Sequence, residues 1–322
     1  MQVINIRGLR KYYNVPSGKQ GLLGLFNRWK KMEALKGISF SVEKGEFVGL
    51  IGANGSGKTT LVKILSGVLV ADAGEAKVLG EIPWKRKAEY LRRIGVLFGN
   101  RSNLVFDIKV IDSYLLMKDI YGLSDSLFDQ RVKFFGKMLG LDELYEVPVR
   151  KLSLGQRMRA EIGCIFLHKP KVVFLDEPTI GLDAVVKESV QDFLLSINRR
   201  EGVTIIMTTH NLSEIELMCK RSIVLKEGSI VWDGPTKELK RKFENTVDIE
   251  AVTLSQKDSK AALKLGKKYG LRLNGHVVAG KVQKTREIDA LNMLMKAYEL
   301  KSLSVREPEL EEIVKKIYKG NR

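Results

Sequence analysis

The sequence predicts an α/β protein whose core is a mostly parallel sheet, followed by a small α+β domain. Three observations predict this class. The stretch "GANGSGKTT" lies between an apolar run and a helical pattern, at residues 52–60. The stretch "KVVFLDE" at 171–177 contains the short continuous apolar run that is typical of a strand buried in a parallel sheet. Strand-like and helix-like patterns alternate through the first 240 residues, which favours parallel pairing.

The elements follow from the patterns in chain order. The first 50 residues predict short strands in "QVINIRGL" and "GISFSVEKGEFVGLIG", interrupted by an insertion at about 14–33. A helix over "TTLVKILSGVL" follows the glycine-rich stretch. Apolar residues with helical spacing in "VIDSYLLMKDIYGL" and "DQRVKFFGKMLGL" predict a helical subdomain at about 100–165. Further strands are predicted in "GVTIIMTTH" and "SIVLKEGSIVWDG".

A domain boundary is predicted near residue 240, where a turn at "DGP" precedes the charged segment "TKELKRKF". We therefore expect one domain at 1–240 and a second domain at 241–322. In the second domain the sequence predicts a strand, a helix, strands, a helix, a strand and a closing helix. Its expected role is either regulatory or dimerising.

Composition excludes several classes of protein. No apolar run in the 322 residues approaches the roughly 20 needed to span a bilayer, and no signal peptide is recognisable at the N-terminus. Cys164 and Cys219 are the only cysteines, too few for a disulfide framework or a zinc cluster, and we expect reduced thiols. The net charge of +17 is spread over both domains and favours an anionic neighbour, either a membrane face or nucleic acid.

The glycine-rich stretch satisfies the pattern G-x-x-x-x-G-K-[ST], which cradles phosphates with backbone N–H groups at a helix start. Lys58 can reach the β- and γ-phosphates, and the Thr59 hydroxyl can hold Mg²⁺. A chance glycine turn is the weaker alternative, because strand, helix and all fixed positions are present. The predicted ATP-binding residues are Gly52, Asn54, Gly55, Ser56, Gly57, Lys58, Thr59 and Thr60.

Two carboxylates end the apolar run of "VVFLDEP". Asp176 would hold Mg²⁺ directly or through water, and Glu177 would accept a proton from the attacking water. Adjacent acids often mark only a solvated turn, but four apolar residues precede these two and favour a buried strand end.

A second anion-binding segment, "KLSLGQRMRAEIG", places Ser153 and Gly155 where a helix begins. Alone it would suggest only a helix cap. The chain, however, resembles the nucleotide-binding domain of ABC transporters. The resemblance is carried by the order and spacing of four segments, which are the phosphate loop, "LSLGQ", "VVFLDEPTIGLD" and the histidine of "MTTH". The resemblance covers residues 1 to about 235. It implies an ATPase of the P-loop fold, with an antiparallel β subdomain and a helical subdomain, that uses ATP and Mg²⁺.

The resemblance also implies that two subunits share each reaction centre. The residues of "LSLGQ", called the signature segment, would close over ATP held by the partner of a homodimer. At Leu154 the family more commonly has glycine. Asp183 would lie in the loop that crosses between subunits, and His210 would contact the γ-phosphate as a second catalytic residue beside Glu177. The implied signature contacts are Ser153, Leu154, Gly155 and Gln156.

Other assignments carried by the resemblance leave alternatives. Tyr13 best matches the aromatic residue that stacks on adenine, with Tyr12 as competitor. Asn100 best matches the glutamine that touches magnesium, with Asn103 as competitor, and asparagine is one methylene shorter. The remaining two histidines, His168 and His276, are expected to be packed or surface residues.

The implied activity is ATP hydrolysis in an exporter of drug, lipid or polysaccharide class that pairs with a separate type-2 permease. We expect a peripheral subunit on the cytoplasmic face of the membrane. The insertion combines basic and apolar side chains, which suits a membrane interface, although a helix packed on its own domain is equally compatible. Its members are Lys19, Leu22, Leu23, Leu25, Phe26, Arg28, Trp29, Lys30 and Lys31.

The alternative function is a non-transport ABC ATPase acting on ribosomes or nucleic acid. Its translation-factor members carry two nucleotide domains in one chain, and its DNA-repair members carry long coiled coils. The sequence has one nucleotide domain and no sustained heptad pattern, so no nucleic-acid partner is expected.

Overall fold

The computed structural model describes residues 1–20, 27–99, 101–209, 211–243, 246–306 and 314. The chain divides into two compact units, Met1–Thr236 and Lys237–Arg322. The predicted α/β class is confirmed, because the first unit contains a six-stranded, mostly parallel sheet.

The first unit alternates strands and helices after an initial β-hairpin. Its elements, in chain order, are β1 (Gln2–Gln20), β2 (Asn27–Glu43), β3 (Phe47–Gly52), α1 (Lys58–Leu65), β4 (Ala73–Val78), α2 (Ala88–Leu91), β5 (Ile94–Phe98), α3 (Val110–Tyr121), α4 (Asp125–Leu139), α5 (Leu154–Phe166), β6 (Val172–Asp176), α6 (Ala184–Glu201), β7 (Thr204–Thr208), α7 (Leu212–Met218), β8 (Arg221–Lys226) and β9 (Ser229–Pro235).

The main sheet has the strand order β5-β6-β7-β3-β8-β9. All neighbours are parallel except β8 and β9, which form an antiparallel hairpin. Strands β3, β6 and β7 are buried at every residue, as expected for parallel strands that are covered on both faces. The carboxyl ends of these three strands therefore lie at the same edge of the sheet, and the loops that follow them build the site described below.

A three-stranded antiparallel sheet, in the order β2-β1-β4, packs against the main sheet. Its apolar face joins the main core through residues that are at most 1% exposed, including Ile4, Leu35, Leu50, Val62 and Phe174. Because α1 contributes to the same cluster, the phosphate loop that begins this helix is fixed to the core.

The insertion at 14–33 is not a helix where the structure describes it, so the expectation of a helix packed on the domain is wrong there. Residues 14–20 and 27–33 instead continue the β1–β2 hairpin, with Val15 opposite Lys30 and Pro16 opposite Trp29. Lys31 Nζ lies 4.0 Å from the ring centroid of the neighbouring Tyr12. Cross-strand hydrogen bonds and side-chain pairs favour the extended form. Residues 21–26, which carry most of the apolar side chains, lie outside the described part of the chain.

Helix α5 packs beside β5, and α3 and α4 pack on α5. The three helices occupy most of the region at about 100–165 where a helical subdomain is predicted. His168, expected to be packed or exposed, is buried after α5. Its ring stacks on Tyr121 with the centroids 3.8 Å apart. Its Nε2 donates to the Ile94 carbonyl at 2.9 Å. His276 in the second unit is exposed.

The second unit is a small α+β fold. After α8 (Thr236–Phe243), which starts at the boundary, it contains β10 (Thr246–Gln256), α9 (Ser259–Lys264), β11 (Arg272–Asn274), β12 (Val277–Gln283), α10 (Glu287–Ala297) and β13 (Tyr298–Arg306). The antiparallel order β11-β12-β10-β13, with the chain order βαββαβ, is that of a ferredoxin-like fold. Apart from residue 314, which is helical, the predicted closing helix lies outside the described residues.

Within the described segments, no helix is both long enough and apolar enough to cross a membrane.

Candidate functional site

The loop from Gly52 to Gly57 follows β3 and begins α1. Gly57, the N-cap of α1, has φ 108°, and a Cβ there would lie 2.7 Å from the Ala34 carbonyl oxygen. A Cβ on Gly52 would lie 2.2 Å from Ser56 Oγ. Both positions therefore require glycine. A Cβ at Gly55, by contrast, would meet nothing within 4 Å, because this part of the loop is open.

Lys58 begins α1 with its side chain folded under the loop. The residue is 5% exposed. Its Nζ donates to the Gly52 carbonyl at 2.7 Å and to the Ala53 carbonyl at 3.3 Å. Burial lowers the pKa of this ammonium, while the charges of Glu177 and Asp176 oppose the shift. A phosphate in the loop would give the buried ammonium an opposite charge at close range.

Asp176 ends β6 and lies beside the loop. The residue is 9% exposed, and its Oδ1 accepts from the Thr208 hydroxyl at 2.6 Å. The Thr59 hydroxyl donates to the same oxygen at 3.4 Å. The structure thus brings together Thr59 and Asp176, the two predicted magnesium ligands that it describes.

Glu177 directly follows β6 and has a left-handed backbone, with φ 57°. Its N–H donates to the Thr208 carbonyl at 3.1 Å and to the Thr208 hydroxyl at 3.2 Å. A left-handed glutamate costs about 1–2 kcal/mol, so these bonds hold a conformation that the chain would otherwise avoid. Strained backbone of this kind clusters at functional sites.

The signature segment forms the start of α5. Ser153 is the N-cap, and its hydroxyl accepts from the Gln156 N–H at 3.2 Å. The Gln156 side chain accepts from the Ser153 N–H at 2.9 Å, which completes a capping box. Leu154 is 56% exposed, and a Cβ on Gly181 would lie 3.0 Å from its Cδ2. The departure from glycine therefore places a leucine side chain beside the loop that follows Glu177.

Three other predicted residues lie near these elements. Asp183 caps α6 by accepting from the Val186 N–H at 2.9 Å. The Tyr13 hydroxyl lies 3.3 Å from Thr60 Oγ1, so Tyr13 is beside the phosphate loop. The ring of Tyr12 lies under a lysine ammonium instead.

His210 and Asn100 lie outside the described residues. The competitor Asn103 is described, and its side chain donates to the Val96 carbonyl at 3.3 Å. Its N–H donates to Glu161 Oε2 at 2.7 Å. Glu161 is on α5, so the loop after β5 is tied to the signature helix.

Three threonines and a glutamate near the site are not among the site residues predicted from the sequence. Thr208 bonds the Asp176 carboxylate, and Thr179 and Thr209 both donate to Glu214. Only their positions in the sequence could have indicated a role. Thr208 and Thr209 follow the apolar residues of β7, and Thr179 follows Glu177 by two residues. Threonine at a strand end is too common to single out.

The described residues fit a magnesium nucleotide. Ser56 Oγ is buried and has no hydrogen-bond partner within the described part of the chain, which leaves it available to a ligand in the loop. No group of three or more His, Cys, Asp or Glu that could hold a metal occurs among those residues. Magnesium commonly takes one or two protein oxygens and completes its shell with phosphate and water. Thr59 and Asp176 suit that arrangement.

Comparisons with known proteins place these features in a family. Residues 35–180 match the family model described as "ABC transporter". A putative ABC transporter ATP-binding protein of Streptomyces avermitilis is 36% identical over 64% of this chain and 78% of its own length. The methionine import ATP-binding protein MetN 4 of Oceanobacillus iheyensis is 32% identical over 69% of this chain and 63% of its own length.

Solved structures are similar over the same region. CbiO1 from Clostridium perfringens, part of the ABC transporter complex cbiONQ, is 28% identical with a TM-score of 0.61, over 75% of this chain and 94% of its own. A dimeric, post-hydrolysis ATP-binding cassette, MJ0796 bound to ADP and Pi, shows the same fold at 24% identity and a TM-score of 0.61, over 72% and 98% of the two chains. The chain therefore belongs to the family of ABC transporter ATP-binding proteins, and it is an ATPase that uses ATP with Mg²⁺.

Proposed function

We propose that the chain is the ATP-hydrolysing subunit of an ABC exporter, working as a homodimer on a separate permease. The observation that carries this proposal is that Thr59, Asp176 and Glu177 converge beside one phosphate loop, while Ser153 stands exposed at the start of another helix. Each subunit thus has a phosphate loop for one nucleotide and, separately, the exposed N-terminus of α5, which can bind an anion.

Within the cradle each residue has a separate role. The loop N–H groups and Lys58 would bind the β- and γ-phosphates, and Thr59 with Asp176 would hold magnesium. Magnesium, when bound, would neutralise the charge that develops on the phosphate oxygens. Glu177 accepts the proton of the attacking water, since its left-handed backbone fixes it at the end of β6. Tyr13 provides the ring for adenine.

The signature segment serves the partner subunit in this proposal. Ser153 and Leu154 are exposed, and Gly155 and Gln156 are half-buried. The N–H groups at the start of α5 and the Ser153 hydroxyl would bind the terminal phosphate held by the partner. Binding of two ATP molecules closes the dimer, and hydrolysis in both sites reopens it.

The helical subdomain offers a surface for the permease. Leu116 and Ile120 are exposed to 43% and 55% and lie one turn apart on α3. Large apolar side chains grouped in this way mark interaction sites. We assign this apolar surface of α3 to a cytoplasmic segment of the permease, which would hold the subunit at the cytoplasmic face of the membrane.

The direction of transport is proposed because the insertion at about 14–33 resembles insertions in exporter ATPases that serve type-2 permeases. The ending "REPELEEIVKKIY" likewise resembles C-terminal extensions of drug- and lipid-type exporter ATPases. The relative MetN 4 is named for import, which argues against the proposed direction. The nucleic-acid alternative gains no support, since the relatives above are named for transporters. The net charge of +17 suits an anionic membrane face equally well.

The dimer is tested with Glu177→Gln, which preserves shape and removes the base. We expect ATP binding to remain, steady-state hydrolysis to fall by about a hundredfold or more, and gel filtration with MgATP to show a dimer. Glu188→Gln, an exposed glutamate on α6, is the matched control and should behave as wild type. Full hydrolysis in Glu177→Gln would remove this residue from the catalytic role, and a monomer at saturating MgATP would contradict the shared site.

The permease surface is tested with Ile120→Glu on α3. ATP hydrolysis by the isolated subunit should be unchanged, whereas co-purification with the permease should be lost, because a charge would be buried in an apolar contact. Lys137→Glu on α4, also exposed, changes charge without removing an apolar side chain and serves as the control. Equal co-purification of both variants would refute the assignment of this surface.

Direction is tested in inside-out membrane vesicles that contain the assembled transporter. MgATP added outside reaches this subunit, so an exporter should accumulate a labelled drug, lipid or polysaccharide in the lumen. Candidates are first screened for stimulation of ATP hydrolysis. ATP-dependent loss of the label from preloaded vesicles would show import and overturn the proposed direction.

A further inference from the structure

Glu214, on α7, is a carboxylate that is only 1% exposed. It lies outside the residues assigned to ATP above. We propose that Glu214 is a positioning residue for ATP hydrolysis, which fastens the segment after Glu177 to the segment that includes His210. The proposal rests on the catalytic role proposed for Glu177 in the preceding subsection.

Four contacts surround the Glu214 carboxylate. The Thr179 hydroxyl donates to Oε1 at 2.8 Å and lies 2.9 Å from Oε2. The Thr209 hydroxyl donates to Oε2 at 2.8 Å, and Lys187 Nζ lies 2.8 Å from Oε1. Both threonines are buried, while Lys187 is 24% exposed. Bonds to an ionised acceptor are among the stronger hydrogen bonds, so this cluster is a firm connection.

The donors come from the two segments that flank the reaction centre. Thr179 is two residues after Glu177, and Thr209 immediately precedes His210 in the chain. Thr209 also directly follows Thr208, which bonds Asp176. A shift of either segment would therefore have to stretch a bond to the same carboxylate.

A cavity of about 270 Å³ lies beside these contacts, and Glu177, Ile180, Lys187, Thr209 and Glu214 are among its lining residues. Side chains that border a cavity lack packing contacts on that side. The loop after Glu177 is consequently held on this side by its polar bonds and not by packing. Glu214 is therefore one of the groups that hold the loop on the side of the cavity.

Lys187 supplies the positive charge that a buried carboxylate needs. It lies in the first turn of α6, which Asp183 caps, so the ion pair adds the start of α6 to the connection. Removal of the lysine would leave the carboxylate buried beside two neutral hydroxyls. The carboxylate would then be drawn towards water in the cavity and away from Thr179 or Thr209.

The first test compares Thr179→Val with Thr179→Ser. Valine matches the shape of threonine without its hydroxyl, whereas serine keeps the hydroxyl. We expect Thr179→Val to lower kcat about tenfold or more, because small misplacements of catalytic groups are costly, with the ATP Kd within about twofold of wild type. Thr179→Ser should keep kcat within about threefold of wild type. A role in stability alone would lower the melting temperature of Thr179→Val and leave kcat per folded molecule unchanged.

The second test uses Lys187→Gln, with Lys187→Arg as the matched control that keeps the charge. The partly exposed position lets both variants fold. We expect kcat to fall about fivefold in Lys187→Gln and to recover in Lys187→Arg, with KM for ATP nearly unchanged. The proposal is overturned if Thr179→Val and Lys187→Gln both hydrolyse ATP at the wild-type kcat, or if the serine variant falls as far as the valine variant.

Glu177→Gln separates failure of this proposal from failure of the proposed function. If Glu177→Gln is inactive and the Thr179 and Lys187 variants are normal, only the positioning role is lost. If Glu177→Gln is active, the assignment of the base is lost first.

Discussion

Lowering the pH should destabilise the first unit through one buried histidine. His168 is neutral in the folded chain, where burial lowers its pKa to about 4, and Arg131 adds to the shift. The bond to the Ile94 carbonyl opposes it. The unfolded chain binds a proton at this imidazole near its ordinary pKa of about 6.5. Between these two values the unfolded state therefore holds more protons, and the free energy of unfolding falls as the pH falls.

The size of the effect follows from the shift. A change from about 6.5 to about 4 corresponds to roughly 3 kcal/mol in total. About 2.5 kcal/mol of this should be lost by about pH 4.5, and the full contribution is present above about pH 7. This loss is a large share of the stability of an ordinary domain.

Urea unfolding followed by tryptophan fluorescence measures this effect in the right part of the molecule. All three tryptophans, at positions 29, 84 and 232, lie in the first unit with His168. His168→Gln is the control, since glutamine can still donate to a carbonyl but does not titrate. The wild type should lose about 2.5 kcal/mol more than the variant between about pH 7.5 and 4.5. Equal losses in the two proteins would refute the reasoning.

Three further predictions concern packing and nucleotide binding. Gly163→Ala should destabilise the first unit by about 1–3 kcal/mol in urea unfolding, because the new Cβ would lie 2.2 Å from the Tyr114 hydroxyl oxygen, and Tyr114→Phe should relieve part of this. Asp176→Asn should raise the magnesium concentration needed for half-maximal hydrolysis about tenfold or more, which an unchanged magnesium titration would contradict. Tyr13→Ala should weaken ATP binding about fivefold in a fluorescence titration while Tyr13→Phe and Tyr12→Ala change it little, and equal effects of the two alanine variants would reassign the adenine ring.

The α/β class and the phosphate loop could be predicted because their signals are local. The apolar run of β6 is long enough to identify a buried strand, and Gly52 and Gly57 stand where a Cβ would come too close to neighbouring atoms. Between residues 246 and 306 the order of strands and helices agrees with the alternation and helical periodicity of the sequence. The ferredoxin-like strand order could not be predicted, because pairing between distant strands leaves no signature in either strand alone.

The insertion shows where composition misleads. Its basic and apolar residues are compatible with an amphipathic helix, but hydrogen bonding between β1 and β2 continues into it on both sides. Strand pairing is decided by the partner strand, and a segment read alone contains no information about that partner.

The amino-acid order alone predicts which groups bind a magnesium nucleotide, because the phosphate loop, Asp176 and Glu177 belong to short local motifs. Only the tertiary structure decided that Thr208 holds Asp176, and that Glu214 gathers Thr179, Thr209 and Lys187. These contacts join residues up to 35 positions apart. The packing of β6 against β7 brings them together, and a hydroxyl or carboxylate has the same local sequence signal whether or not a partner lies opposite it.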